Sequence, residues 1–335
     1  MKQLLALVFS VLSFVVLADQ TPSPSWQAPL ANKSLLLDIT SVNNERLVAV
    51  GEYGHILVSS DGQQWQQASV PVTSTLTAVF FVNSMKGWAV GHDATILHSS
   101  DGGSTWSIQQ YLPELEKPLL DVVFKDDKNG IAIGAYGMFY RTSDGGETWQ
   151  NQFHESFLFQ DDIDYLNELK KDDEEAYLDE RSSILPHFNR VTRDGRTLYM
   201  VGEIGLIAKS NDFGESWEQF DDIYQGSFFD LARTRKGNLL VVGLRGNAFR
   251  SLRNGTPWER ADTGTKALLN SIVLTDTNLL YVLGNAGMLL ASDDDGQTFT
   301  QYPQADGKAL IAGAVFQGKL IVVSDVGIKT ITTLK

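Results

Sequence analysis

From about residue 36 the chain alternates short apolar runs with Gly-rich and Asp-rich breaks. Leu36 to Thr40, Leu120 to Phe124 and Phe228 to Ala232 are typical first runs. A second run follows each and ends in Gly, two residues, then usually Gly again. It reads VGEYG from Val50, VGHDA from Val90, IGAYG from Ile133 and VGEIG from Val201. It continues as VGLRG from Val242, LGNAG from Leu283 and VSDVG from Val323, which makes seven copies. A third run leads into Ser-x-Asp-x-Gly-x-Thr-Trp, as in Ser99 to Trp106, Thr142 to Trp149, Ser210 to Trp217 and Ser292 to Phe299. Ser59 to Trp65 is one residue short, and Ser251 to Trp258 carries Arg253 in the Asp place. A fourth run leaves the aromatic residue. Short strands at even spacing with turn signals between them predict an all-β array, and four strands in about 40 residues is the propeller period. The Gly pair is expected to supply positive φ for the second turn of each unit. The Asp phrase is expected to close the third turn through side-chain bonds to local amides.

The closing aromatics Trp65, Trp106, Trp149, Trp217, Trp258 and Phe299 are 41, 43, 68, 41 and 41 residues apart. The seventh unit stops after its third run, while Trp26 lies 39 residues before Trp65. This predicts a seven-bladed β-propeller of four-stranded blades. The N-terminal segment is expected to pair into the last blade as its outer strand, which removes a free edge. Trp26 and the other five unit Trp are then interblade core.

Seven such units with Asp boxes resemble the BNR/Asp-box propellers. Within these the chain is most similar to the Ycf48/Hcf136 family, the photosystem II stability and assembly factors and their bacterial relatives. The likeness covers roughly residues 25 to 335. It implies a non-enzymatic propeller that binds membrane-protein clients through an Arg-rich face. In bacteria without photosynthesis it implies association with RND-type exporters. The strongly acidic composition departs from that pattern.

Composition narrows the choice. The 335 residues hold 27 Lys+Arg against 41 Asp+Glu, a net charge of −14, with no Cys. Thiolate metal sites, Cys nucleophiles and disulfides are excluded. Nucleic acid is not expected as a partner, since phosphate neutralisation needs clustered bases. Met1-Lys2, the apolar run from Leu4 to Leu17 and Ala18 read as a signal peptide over residues 1–18. The propeller is then expected over 19–335, periplasmic or secreted, soluble and monomeric when free, without cofactor or metal.

Function in propellers usually lies on the face of the second turns and of the loops between blades. That face is expected to hold Glu52, Tyr53, His92, Asp93, Tyr136, Glu203, Arg245, Asn285 and Asp325, a ring that varies on a repeating frame. The Asp-box residues Asp61, Asp101, Asp144, Asp212 and Asp294 are read as structural. Asp38, Thr77, Asp121, Asn189, Asp230 and Asn270 start the first runs and are expected to bond backbone around the channel mouth. A hard cation among the three Asp is an alternative. The long spacing marks an insertion at about 151–186. Residues 155–181 hold 11 acids and 3 bases. Ile163, Leu166 and Leu169 recur at helical spacing, with Asp161 or Asp162 as cap. With Phe157, Phe159, Asp162, Asp173 and Glu174 this arm is expected to dock a partner. Ten of the 12 Arg lie between Arg181 and Arg260 and are expected to pair with the arm or to form a basic docking side.

The reading is therefore a binder of a membrane protein or complex, either a photosystem-like client or an RND-type exporter. The alternative is an Asp-box glycosidase or glycan binder using Glu52 and Glu203 as a carboxylate pair.

Overall fold

The computed structural model describes residues 21–252 and 255–331. The expected signal peptide at 1–18 lies outside the described residues. Seven antiparallel sheets follow in chain order. Blade 1 is Leu36–Val42, Arg46–Gly51, Ile56–Ser59 and Gln66–Gln67, and its strand order is the sequence order. Five further blades repeat this plan. The first strands lie innermost and touch one another around the ring, closing with blade 7 against blade 1. The fold is a seven-bladed β-propeller.

Every first strand carries an irregularity in pairing with the second, for example between Leu36 and Asp38 and between Phe188 and Arg190. The bulge brings the start of the strand against the first Gly of the VGxxG phrase. A Cβ on Gly51 would meet Leu35 O at 2.1 Å. Gly51 itself is extended, at φ −175. The first Gly therefore serves close approach, and not positive φ as the pattern suggested. Positive φ falls on the last Gly and on the residue before it, as in Tyr53 (φ 56) and Gly54 (φ 67).

The core is divided among the interfaces between blades. Trp106 joins blades 1 and 2, Trp149 blades 2 and 3, and Trp217 blades 3 and 4. Trp258 joins blades 4 and 5, Phe299 blades 5 and 6, and Trp65 blades 7 and 1. Trp88, outside the repeat position, is fully buried and stacked on Phe124.

Blade 7 differs. It has three strands, Leu310–Phe316, Lys319–Ser324 and Gly327–Ile331, with no fourth among the described residues. Among the described residues the N-terminal segment does not add the expected strand to blade 7, but Ala31–Lys33 pack against Gly327–Ile331, and Ala28 and Ala31 join the core between blades 7 and 1. Ser25 N donates to Val70 O, and Gln67 holds Ala28 N and Trp26 O, so residues 25–28 follow the outer strand of blade 1. Trp26 is 79% exposed and is not core. The Gln67 side chain satisfies this segment's backbone locally, which removes the need for a ladder with blade 7.

Each Asp box is a closed hydrogen-bond unit. Asp101 accepts from Ser104 N, Thr105 N and Thr105 Oγ1, while Ser99 Oγ receives Gly103 N. Asp144, Asp212 and Asp294 repeat it. Desolvation raises Asp101, Asp212 and Asp294, but hydrogen bonds to the charged form outweigh it. In Asp144 the bonds from Thr148 lead. All four carboxyls are held low, with Asp144 and Asp212 at about 2.

Candidate functional site

The innermost strands place one residue each in a layer across the channel, opposite the residue before the first Gly. Asp38, Ala78, Asp121, Arg190, Asp230, Ser271 and Ala312 fill it. Thr77, Asn189 and Asn270, grouped with the three Asp on sequence, sit one residue earlier, at the bulge. The two positions stitch the ring in alternation. Asp38 accepts Val79 N of blade 2, Asp121 accepts Val191 N of blade 4, and Asp230 accepts Ile272 N of blade 6. In return Thr77 donates to Leu119 O of blade 3, Asn189 to Phe228 O of blade 5, and Asn270 to Leu310 O of blade 7. Bonding of backbone around the channel mouth is thus observed.

The cation among the three Asp is Arg190. Its guanidinium lies 3.8 Å from Asp38, 3.5 Å from Asp121 and 3.7 Å from Asp230. Three carboxylates around one guanidinium leave two negative charges in excess. Burial raises all three Asp, Asp121 to about 6, against the pull of Arg190. This corrects the alternative of a bound metal at that place: the chain supplies its own cation.

The second turns form a ring on one face. Tyr53, Asp93, Tyr136, Ile204, Arg245 and Ala286 all have positive φ, between 53 and 60. A left-handed non-Gly residue costs about 1–2 kcal/mol, and the cost is repeated in six blades. Tyr53, Tyr136 and Ile204 are 60%, 43% and 63% exposed, and His92, Asn285 and Asp325 are exposed too. Glu52 and Glu203 do not form a pair. Glu52 accepts Leu35 N at 2.9 Å and Glu203 accepts His187 N at 3.2 Å, each within its own blade. Asp93 accepts Ser74 Oγ. These three acids fix the start of a first strand instead of facing a ligand together.

Arg245 opens onto a groove of about 1150 Å³ at blade 5. Arg260 and Lys266 share it, with Tyr224 and Phe249 beneath and Asp262 as its one acid. Among the described residues none of the three cations has an ion pair or a side-chain hydrogen bond. Four other arginines of this region are used internally. Arg190 fills the channel, Arg193 bonds Lys125 O, Arg233 pairs with Asp194, and Arg250 with Glu259 and Asp295. The expected pairing of arginines with the acidic arm does not occur among the described residues.

The arm leaves the outer strand of blade 3 as helices α1 (Gln160–Asp172) and α2 (Glu174–Arg181). Phe159 takes the N-cap position of α1 without a side-chain bond, so Asp161 and Asp162 lie in its first turn and do not cap it. Asp173 caps α2, accepting Ala176 N, and Glu174 follows in the first turn. Phe157 is not a docking residue. It is buried between blades 3 and 4 against Phe188 and Trp217. Phe159 is 76% exposed. Lys117 donates to Ser182 O, and Leu185 packs on Gly137, so the arm is tied to the second turn of blade 3. Arg260 and Lys266 were not singled out on sequence. Their groove arises from folding the outer strand of blade 5 beside its own second turn.

A family model described as the photosynthesis system II assembly factor YCF48 matches residues 59–116 and 108–198. The photosystem II assembly protein Ycf48 of Thermosynechococcus vestitus is 29% identical over 236 residues, 70% of this chain and 61% of that protein. The photosystem II assembly lipoprotein Ycf48 of Picosynechococcus is 25% identical over 234 residues, 69% and 61% of the two chains. The match thus spans about 61% of the length of these relatives. Among solved structures, YCF48 bound to D1 peptide superposes with a TM-score of 0.70 at 20% identity, over 95% of this chain and 99% of that one. YCF48 from Cyanidioschyzon merolae gives 0.67 at 18%, over 92% and 98%. A xyloglucanase from Xanthomonas campestris gives 0.64 at 12%, over 89% and 52%, and shares the fold alone. Asp boxes, seven blades and these matches together show a seven-bladed β-propeller that is similar to Ycf48.

Proposed function

We propose that this protein is a non-enzymatic assembly factor that holds a peptide segment of a membrane-protein client on the face of the second turns. The observation that carries the reading is the blade 5 groove, where Arg245, Arg260 and Lys266 stand without ion pairs among the described residues, against the single acid Asp262, over an aromatic floor. An apolar floor with unpaired cations suits an extended segment that carries carboxylates. A solved relative that shares the fold binds a D1 peptide, which supports a client of the photosystem kind. An RND-type exporter is the corresponding client where photosystems are absent. Export to the periplasm by the N-terminal segment fits this role; among the described residues no helix is long and apolar enough to cross a membrane. The glycosidase alternative loses its candidates, because Glu52 and Glu203 are each engaged by backbone in separate blades.

The test is capture of acidic peptides scanned from membrane proteins encoded beside this one. Arg245→Glu with Arg260→Glu is expected to weaken capture at least about tenfold, with affinity falling as salt rises. Equal capture by the double variant rejects the groove.

A further inference from the structure

A crevice of about 270 Å³ opens where the arm meets blade 3. Blade 3 lines it with Tyr136, Met138 and Tyr140, the root of the arm with Phe153, and α2 with Leu178 and Arg181. Lys117, in the connection from blade 2 to blade 3, lines it as well. Each of the two cations is held by a ring and not by an acid. Arg181 lies over Phe153 at 4.5 Å and Lys117 over Tyr136 at 5.2 Å. Lys117 also donates to Ser182 O and Ser182 Oγ at the end of α2. Among the described residues neither cation has an ion pair, and no Asp or Glu lines the crevice. Residues 155–181 hold 11 acids and 3 bases, so a lining drawn at random from the arm would be acidic. Asn151 and Gln152 add side-chain amides. Tyr140 is buried, and burial first of all keeps its hydroxyl protonated beside the Asn151 side chain.

We propose that this crevice binds a small carboxylate with an aromatic or branched apolar body, about the size of one amino acid. Cations that rest on ring faces offer their charge to a ligand with no carboxylate of the chain to displace. Met138, Leu178 and the ring faces take the apolar body, while a bare inorganic anion leaves them without a partner. The volume lies just under the roughly 300–1,000 Å³ of pockets for drug-sized ligands, which limits the occupant to one ring or a short branched chain. A ligand there touches blade 3 and α2 together, so its binding fixes the arm on the propeller. The inference does not depend on the client reading, and the crevice is a different place from the Arg245 groove.

The probe is 3-phenylpropionate, added to the full chain. Its neutral counterpart is 3-phenylpropionamide, and inorganic phosphate stands for the bare anion. Isothermal titration is expected to give a Kd of about 1 mM or tighter for the acid, and at least about tenfold weaker binding for the amide and for phosphate. Arg181→Gln is expected to weaken the acid at least about fivefold. Leu178→Trp, at an exposed position on α2, is expected to fill the crevice and abolish binding, with circular dichroism showing that the helices are kept. Bound acid is expected to slow amide exchange along Glu174–Arg181. No binding of the acid overturns the assignment, as does equal binding of the amide or of phosphate. So does binding that neither variant changes. The Arg245→Glu, Arg260→Glu chain must bind the acid unchanged. Loss of binding there moves the acid to the blade 5 groove and overturns the crevice, while the client reading keeps its own peptide test. Tighter binding of a peptide that ends in phenylalanine than of the free acid makes the crevice a reader of chain ends, and overturns it likewise.

Discussion

Arg190 joins four blades through one side chain. Its guanidinium lies between carboxylates from blades 1, 3 and 5 while it belongs to blade 4. Removing one partner from a buried ionic cluster typically costs about 3–5 kcal/mol. Arg190→Met is expected to cost that much at pH 7 and to regain part of it at pH 5, below the raised value of about 6 for Asp121; urea denaturation at the two pH values measures it. Asp121 and His154 titrate in overlapping windows. Burial raises the Asp121 carboxyl to about 6, so the folded state holds its proton longer and stability from this group falls as pH rises from about 4 to 6. His154 is lowered to about 4 by burial, with Arg141 adding, so stability from it rises with pH between about 4 and 6.5. The two oppose each other. Asp121→Asn is expected to unmask a rise in the urea midpoint between pH 4.5 and 6.5 that the parent lacks.

At the scale of the strand and turn, the repeat phrases do different work from one another. The first Gly of VGxxG allows the bulged start of an inner strand to approach, so Gly51→Ala forces a 2.1 Å contact with Leu35 O. That places it in the severe class, at about 3 kcal/mol or more, read by thermal unfolding. The Asp boxes hold their carboxyls below the ordinary value. Their contribution is present above about pH 4 and is lost as pH falls toward 2. Asp212→Ala is expected to destabilise at pH 7 and to reduce the acid-induced loss between pH 4 and 2, followed by tryptophan fluorescence. Turn chemistry of this kind was legible because it is local: Ser, Asp, Gly and Thr bond within four residues of each other. The channel layer was half legible. Asp38, Asp121 and Asp230 stood out, but a one-residue bulge is silent in a single sequence. Asn189 was therefore read into the place that Arg190 occupies, and the pairing of opposite charges across the ring was missed. The signal was Arg190 itself, standing two residues after Phe188 as Asp230 stands after Phe228 and Asp38 after Leu36.

At the scale of the molecule, the arm is a helical hairpin set on a propeller rather than a loose acidic loop. Because Phe157 is wedged between blades 3 and 4, deletion of 155–181 removes core as well as the helices. Replacing only 160–181 by a short Gly-Ser linker is expected to keep the fold, with circular dichroism losing its helical part. If the arm docks the client through its exposed Phe159 and its acids, which make no ion pair among the described residues, client capture falls in the same variant. Ring closure is the other property of the whole. Blades 7 and 1 share a core of Phe316, Ile321, Ile39 and Leu47 with Trp65, and the N-terminal Ala28 and Ala31 pack into it, so among the described residues the ring closes by packing that includes the N-terminal segment, without a strand from it.

What the sequence determined by itself was everything that recurs. The number of blades, the strand order within each, the box turns and the interblade aromatics follow from local periodicity and turn chemistry, which need no knowledge of distant residues. Tertiary structure decided what depends on register and on neighbours. It placed Arg190 among three carboxylates and took Glu52, Glu203 and Phe157 out of the candidate site. It gathered Arg260 and Lys266 beside Arg245, and it left Trp26 in solvent with blade 7 a strand short among the described residues. Each of these turns on which groups meet across blades, and a single chain does not write that in its spacing.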